Sequence, residues 1–214
     1  MSAASAIPEA MLSRASQRGE PTWEMAMFHP RQGEWRESQY LALSTNRLIE
    51  FADGCLEFLP MPTPFHQAIV AFLYNLLNAF VLAHVEGEVF FAPCRIRTIP
   101  GKYREPDLFY ARPERLRDRH QPAEGADLAM EVTSGEPDDR KHDLEEKREE
   151  YAKARIPEYW IVDPQERTIT VLRLDGISYR VHGAFAAGQR ATSELLRGFS
   201  VAVDEVFAAG EGKA

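Results

Sequence analysis

The sequence has few cysteines, no excess of positive charge and no long uninterrupted apolar run. Its two cysteines, Cys55 and Cys94, lie far apart and match no metal-binding spacing, so we expect buried or half-buried thiols in a reducing compartment. The formal net charge of −8 argues against a protein that coats nucleic acid, because non-specific phosphate binding requires lysine and arginine. Basic residues gathered on one face, or a metal ion, could still supply local positive charge.

Targeting and membrane signals are also missing. No cationic flank precedes an apolar run near the N-terminus, which predicts that there is no signal peptide. The longest apolar stretch, 68–85, is interrupted by Asn75 and Asn78, so we expect no membrane span and a cytoplasmic location. The absence of a GxSxG motif and of a Cys–His pairing disfavours a metal-independent hydrolase.

The composition that is present suits one domain. With 214 residues, 44% of them hydrophobic, the chain can bury a single well-packed core. Residues 1–22 are rich in alanine, serine, proline and charge without periodicity, which predicts a flexible N-terminal tail. We therefore expect one domain over 23–207 and a C-terminal tail over 208–214.

The pattern of helices and strands predicts an α/β fold with a mixed β-sheet and a helix on each face. Asp53-Gly54 between two apolar runs predicts a hairpin with a type I′ turn, and a buried helix should start near Phe65. A helix is also predicted over 138–155 and a short one within 33–43. The predicted strands cover 88–99, 104–110, 127–133, 158–162, 168–174 and 178–181, before an edge strand and a short terminal helix.

Two acidic residues stand in contexts where acids are unusual. Asp107 directly follows Pro106 within a predicted strand, and both residue types are disfavoured there. Glu131 lies in the middle of the apolar strand LAMEVT, where a carboxylate is costly unless it is paired or binds a metal. Alternatives stay open, since Asp107 could cap a turn and Glu131 could form an ion pair with Arg95 or Arg97.

The helix after Glu131 carries a lysine on the same stripe as an acid and a tyrosine. Asp143, Lys147 and Tyr151 are spaced i, i+4 and i+8, so they share one side of that helix. A lone lysine on so charged a helix is ordinarily solvated. Combined with acids on the two preceding strands, however, Lys147 indicates a hydrolytic metal site. Carboxylate ligands favour Mg²⁺ or Mn²⁺ over zinc, and a nearby ammonium can orient a water or offset developing charge.

These motifs resemble a known family. The runs REPDLFY (104–110) and DLAMEVTSGEPDDRKHDLEEKREEYAKARIPEYWIVDP (127–164) are similar to the "putative restriction endonuclease" family of the PD-(D/E)XK nuclease superfamily. Upstream, RLIEFADGCLEFLPMPTPFHQAIV (47–70) resembles that family's hairpin and first helix, so the likeness extends over about 33–203. It implies a restriction-endonuclease-like core of helices and strands around a Mg²⁺ site.

The resemblance also implies roles for individual residues. Pro106 and Asp107 match the PD motif, and Glu131 matches the (D/E) position. Thr133 stands where the superfamily's usual lysine would fall, and Lys147 on the following helix is the match. Arg155 stands where a glycine is expected to end that helix, in a left-handed conformation.

On this basis we expect a Mg²⁺- or Mn²⁺-dependent endonuclease-like phosphodiesterase acting on DNA, with RNA left open. Asp107 and Glu131 would bind the metal together with the backbone carbonyl of Val132, and Lys147 would orient the attacking water. A homodimer is expected by analogy with enzymes that cut both strands of a duplex. The resemblance points to supporting positions as well, and with the tyrosine stripe these are His66, Glu57, Tyr151 and Asp143.

Other interpretations remain at each supporting position. His66 could simply start a helix and bond to a loop, Glu57 could be an exposed strand acid, and Tyr151 could be a packing residue. The negative net charge and the missing lysine at Thr133 also leave open a non-catalytic binding or assembly module that retains the nuclease fold.

Overall fold

The structure is a computed structural model that describes residues 30–43, 47–133 and 142–212, with side chains described from Glu145 onward in the last range. The expected N-terminal tail over 1–22 and the side chain of Asp143 lie outside the described residues. In chain order, the helices and strands are α1 (Glu37–Leu41), β1 (Ile49–Ala52), β2 (Cys55–Phe58), α2 (Pro64–His84), β3 (Glu88–Phe91), β4 (Ile96–Ile99), β5 (Lys102–Arg104), β6 (Leu108–Ala111), a 3₁₀ turn (Pro113–Arg115), β7 (Leu128–Val132), a π-helical turn (His142–Lys147), α3 (Arg148–Lys153), β8 (Glu158–Asp163), β9 (Thr168–Asp175), β10 (Ser178–Phe185), β11 (Arg190–Thr192), β12 (Ser200–Ala202) and α4 (Val203–Gly210).

The main sheet has six strands in the order β10-β9-β8-β7-β6-β3. Strands β7 and β8 pair in parallel, and the other neighbours in this sheet pair antiparallel. The π-helical turn and α3 lie between β7 and β8 in the chain, as expected when a parallel pair is joined by a crossover. The prediction of a mixed sheet in an α/β fold is confirmed.

Helices cover both faces of this sheet, and the side chains of β8 alternate between them. Trp160 and Val162 join the core formed with α2 and α4, whereas Tyr159 and Ile161 join the core formed with α3. The expected helix on each face is therefore present. Helix α2 buries one apolar side against the sheet through Ile69, Val70, Leu73, Leu77 and Val81.

The expectation that no apolar segment is long enough to span a membrane was wrong on length and composition alone. The helix Pro64–His84 is long and apolar enough to pass that test, because Asn75 and Asn78 interrupt the run without lowering its mean hydropathy far enough. In the fold one apolar side of this helix packs on the main sheet.

Two predicted strands are each divided between separate sheets. Residues 88–99 form β3 of the main sheet and β4 of a four-stranded antiparallel sheet ordered β2-β1-β5-β4. Residues 104–110 divide in the same way, into β5 and β6. Each break contains a proline, Pro93 or Pro106, which has no N–H to donate to a ladder. Asp107 therefore lies at a bend between sheets and not inside a strand, which corrects the prediction.

The turns agree with the sequence more closely than the helix ends do. Asp53 and Gly54 adopt φ of 50° and 84°, as a type I′ turn requires, and Arg155 adopts φ of 59° at the end of α3. Of the helix predicted over 138–155, the described part runs from His142, as a π-helical turn followed by α3. Helix α4 runs to Gly210, into the range expected as the C-terminal tail, because Ala209 is buried against the core.

Candidate active site

The bend at Asp107 brings its carboxylate against the end of β7. Asp107 Oδ2 accepts a hydrogen bond from the backbone N–H of Val132 at 2.8 Å. Val132 directly follows Glu131 in β7, so the Asp107 side chain is bonded to the residue next to the second predicted acid. Because Pro106 cannot donate to a ladder, the chain turns at this point and the aspartate side chain meets β7 from the strand's end.

His66 lies against both Asp107 and Val132. Its Nε2 atom is 3.2 Å from Asp107 Oδ2 and 3.1 Å from the carbonyl oxygen of Val132. Both oxygens are acceptors, so Nε2 must carry the hydrogen for these contacts to be hydrogen bonds. Thr63 fixes the position of the histidine by capping α2, since its side chain accepts a bond from the His66 backbone N–H at 3.2 Å. His66 thus contacts two of the three predicted metal ligands.

Glu131 is buried and receives a cation and a hydroxyl. Its Oε1 atom lies 3.1 Å from Lys147 Nζ and accepts a hydrogen bond from the Tyr151 hydroxyl at 2.8 Å. Burial raises the pKa of Tyr151 well above its usual range, and the charge of Glu131 raises it further, so this phenol stays a neutral donor. Arg95 and Arg97 were the alternative ion-pair partners of Glu131. In the structure Arg95 contacts Glu105, and Arg97 contacts Glu124.

Lys147 is not on a solvated helix face. Only 3% of its surface is exposed, and it lies where the π-helical turn passes into α3. Wide π-helical turns within helices frequently occur at functional sites. Lys147 and Tyr151 share the predicted stripe and converge on the same oxygen of Glu131.

A further acid, Glu50, lies beside Lys147 and was missed by the sequence reasoning. Glu50 comes from β1 in the four-stranded sheet and is fully buried. Its Oε1 atom is 3.7 Å from Lys147 Nζ and accepts a bond from the Glu105 backbone N–H at 2.9 Å. The signal was available in the sequence, because Glu50 interrupts the apolar run LIEF as Glu131 interrupts LAMEV.

Arg104 holds the other side of this acidic group. Its guanidinium donates to Glu50 at 2.9 Å, to Glu57 at 2.6 Å and to Glu150 at 2.7 Å. Burial opposes the charge of Arg104, but the hydrogen bond that it donates to Glu150 and the three carboxylates together raise its pKa. Glu57 is therefore bound to Arg104.

The ligand set suits a metal that keeps part of its water shell. Within the described residues, no group of three or more His, Cys, Asp or Glu side chains is placed to hold a metal ion. The candidate set offers two carboxylates, Asp107 and Glu131, and the carbonyl of Val132, which lies 3.1 Å from His66 Nε2. Mg²⁺ is commonly bound by one or two carboxylates with water and substrate phosphate completing its coordination, and these hard oxygens fit that pattern.

The fold and these clustered residues define a nuclease-like α/β protein. Residues 35–204 match the family model Uma2, described as "Putative restriction endonuclease", and the chain belongs to that family. The fold is similar to a solved structure from Anabaena variabilis ATCC 29413, described as a "putative nuclease belonging to DUF820". The TM-score is 0.67 at 19% sequence identity, with 85% of this chain and 99% of that chain covered, and at this identity the likeness shows the fold alone. No curated protein matches the chain.

Proposed function

We propose that the chain is a Mg²⁺- or Mn²⁺-dependent endonuclease acting on DNA. Asp107 and Glu131 would hold the ion together with the Val132 carbonyl, and Lys147 would orient the attacking water. One observation carries the proposal. A buried lysine lies 3.1 Å from Glu131, while Asp107 is bonded at 2.8 Å to the residue that follows Glu131.

Each protein group has a task that its surroundings permit. A divalent ion at these oxygens would bind a phosphate oxygen and lower the pKa of a water. Lys147 is held between Glu131 and Glu50, so its ammonium is confined near the place where negative charge develops on the phosphate. His66 positions the Asp107 carboxylate and the Val132 carbonyl, and Tyr151 positions Glu131. We propose these two as supporting residues and not as groups that touch substrate.

The test is metal-dependent cleavage of supercoiled and linear DNA, with RNA as a parallel substrate. Asp107→Asn and Lys147→Ala should each lower the cleavage rate at least about a hundredfold, as expected for groups acting on the reacting atoms. Lys153→Ala is the matched control, because Lys153 is an exposed lysine at the end of α3 whose ion pair, among the residues that the structure describes, is with Glu149. If neither site variant separates from the wild type with any substrate and metal, the enzyme is not of this kind.

A non-catalytic binding or assembly module is the second candidate. It is favoured by the closed arrangement of Glu131, Lys147 and Tyr151, in which a cation from the chain already faces the carboxylate. Calorimetric titration separates the two candidates. Mg²⁺ or Mn²⁺ binding that Glu131→Gln abolishes supports a metal site, whereas wild-type protein that binds neither ion supports the module.

The remaining expectations belong to the same proposal. A homodimer would place two sites on the two strands of a duplex, and sedimentation velocity with and without DNA tests it. A cytoplasmic protein without membrane attachment is proposed from the nuclease family, and the packing of α2 on the main sheet is consistent with it.

A further inference from the structure

A cleft of about 670 Å³ opens beside the candidate active site, and its lining is unusually basic for a chain of net charge −8. Its size is within the range of pockets that hold small-molecule ligands. Apolar wall is supplied by Leu41, Pro93 and Pro122. The polar side chains that line the cleft are Arg47, Arg95, Glu105, Arg119, His120 and Gln121.

Glu105 gives the cleft a buried acceptor. Its side chain is 3% exposed, and its Oε1 atom accepts a hydrogen bond from Arg95 Nε at 3.2 Å. Its Oε2 atom is buried and has no hydrogen-bond partner within the described residues. Burial raises the pKa of this carboxyl. A buried acceptor without a donor is costly, so a ligand N–H group would gain that hydrogen bond once a small rotation of the Glu105 side chain turns Oε2 toward the cleft.

The cationic groups in the cleft are held in place. The guanidinium of Arg95 lies 4.4 Å from the ring centroid of Tyr40, which fixes it by a cation–π contact beside Glu105. Arg119 donates to Glu88 with two nitrogens, and Arg47 lies on the same cleft. Guanidinium groups suit phosphate recognition because their planar donors match phosphate oxygens.

Sequence neighbours and backbone hydrogen bonds connect the walls of the cleft to the candidate active site. Glu105 stands two residues before Asp107, and its N–H is held by Glu50, whose same oxygen is 3.7 Å from Lys147 Nζ. On the other wall, the N–H of Ala92 donates to the carbonyl of Asp107 at 3.2 Å, and Pro93 and Cys94 follow directly in the cleft. On the proposed function, a nucleic-acid strand bound at the candidate site would have a neighbouring nucleotide close to this cleft.

We propose that the cleft binds one nucleotide of the substrate strand, with an exocyclic amino group of its base donating to Glu105 Oε2 and its phosphate facing Arg47 and Arg95. The inference rests on the proposed function in taking nucleic acid as substrate. Glu105 would then select among bases, because a carboxylate accepts from the cytosine amino group. Thymine presents a carbonyl oxygen at the same position, and that oxygen repels the carboxylate.

The experiment measures calorimetric binding of dCMP and dTMP to the full chain without metal. Wild type should bind dCMP at least about tenfold more tightly than dTMP, in line with the discrimination of one well-placed contact to a base edge. Glu105→Gln should abolish or reverse that preference, because an amide can present its own donors to the thymine oxygen. Deoxycytidine, which lacks the phosphate, should bind more weakly than dCMP.

Two further variants separate this inference from the nuclease proposal and from misfolding. Lys147→Ala should leave dCMP binding unchanged, so binding can hold even if cleavage fails. Ala42→Trp, at the exposed edge of the cleft, should block dCMP without touching a polar group. Equal affinity for dCMP and dTMP, an unchanged preference in Glu105→Gln, unchanged binding in Ala42→Trp, or no binding at millimolar dCMP would each overturn the inference.

Discussion

Glu131 on β7 and Glu158 on β8 are two buried glutamates on neighbouring parallel strands, and their surroundings differ sharply. Glu131 interrupts the apolar strand β7, Glu158 begins the apolar strand β8, and each is at most 3% exposed. Glu158 accepts hydrogen bonds from Trp160 Nε1 at 2.8 Å and from the Ser193 hydroxyl at 2.6 Å, and from two backbone N–H groups at 2.8 Å. Glu131 accepts instead from a lysine and a tyrosine, with Asp107 bonded to the next residue of its strand.

The difference shows that a glutamate in an apolar strand identifies a buried charge but not its use. The donors of Glu158 are neutral and belong to one turn after β11 and to its own strand, so they fasten that turn to the sheet. The charge of Glu131 is offset by an ammonium that Glu50 also contacts. A carboxylate whose charge is balanced by a cation can exchange that cation for a metal ion. A carboxylate whose oxygens already accept from four fixed neutral donors would lose those hydrogen bonds if it bound a metal.

The largest expected effect is on cleavage. Glu131→Gln should lower the rate of metal-dependent DNA cleavage at least about a hundredfold, because an amide is a much weaker ligand for a hard cation. Glu158→Gln keeps the shape of the other glutamate and should cleave at a rate close to wild type. Single-turnover cleavage by both variants measures the contrast. A comparable loss in the two would mean that burial, and not the donor set, explains the effect.

The second expected effect is on stability, and here the change at Glu158 should have the measurable consequence. Glu158→Ala should lower the free energy of unfolding by about 3 kcal/mol or more, because it strands the Trp160 and Ser193 donors and two backbone N–H groups inside the protein. Urea unfolding followed by circular dichroism gives the value. Glu166→Ala, at an exposed turn position, is the control and should change stability by about 0.5 kcal/mol at most. If Glu158→Ala lowered the free energy of unfolding no more than the control does, Glu158 would not fasten the turn after β11 to the sheet.

The sequence predicted those parts of the fold and site that depend on local chemistry, and it missed those that depend on distant contacts. The hairpin at Asp53-Gly54 and the long helix beginning near Phe65 follow from local chemistry, and the sequence predicted both. Asp107 and Glu131 were predicted as site residues from local context and resemblance, and Lys147 mainly from resemblance. Glu50 and Arg104 were not found, since their partners are more than forty residues away and only the pairing of β1 with β5 brings them together. Asp107 was placed inside a strand because the break at Pro106 separates two sheets, which is a tertiary feature.

A third expected effect concerns acid stability and extends the comparison to Glu150, another carboxylate held by a cation. Burial alone would raise the pKa of Glu150, but the hydrogen bond from Arg104 and its charge hold it below the ordinary 4.5. Its ionised form therefore contributes stability that is present above about pH 4.5 and is lost as the pH falls through the lowered pKa. Glu150→Gln should lose less stability than wild type on going from pH 6 to pH 3.

Urea unfolding at several pH values between these limits measures that slope. Glu149→Gln is the matched control, because this neighbour is exposed and its ion pair within the described part of the chain is a surface contact with Lys153. Equal acid slopes for wild type and Glu150→Gln would show that the Arg104 contact does not hold the carboxylate ionised in the folded protein.

The smallest effect separates a supporting hydroxyl from a structural one. Tyr151→Phe and Tyr179→Phe each remove one buried hydroxyl, which donates to Glu131 Oε1 at 2.8 Å in the first case and to the Ile156 carbonyl at 2.7 Å in the second. Both should lower the free energy of unfolding by about 1 kcal/mol, the usual contribution of one such hydrogen bond. Only Tyr151→Phe should also change Mg²⁺ or Mn²⁺ affinity, by a few-fold, because only its hydroxyl orients a proposed ligand. If calorimetric titration finds the same metal affinity in both variants, then Tyr151 packs in the core beside Glu131 without orienting it. In that case, Lys147 alone would distinguish the surroundings of Glu131 from those of Glu158.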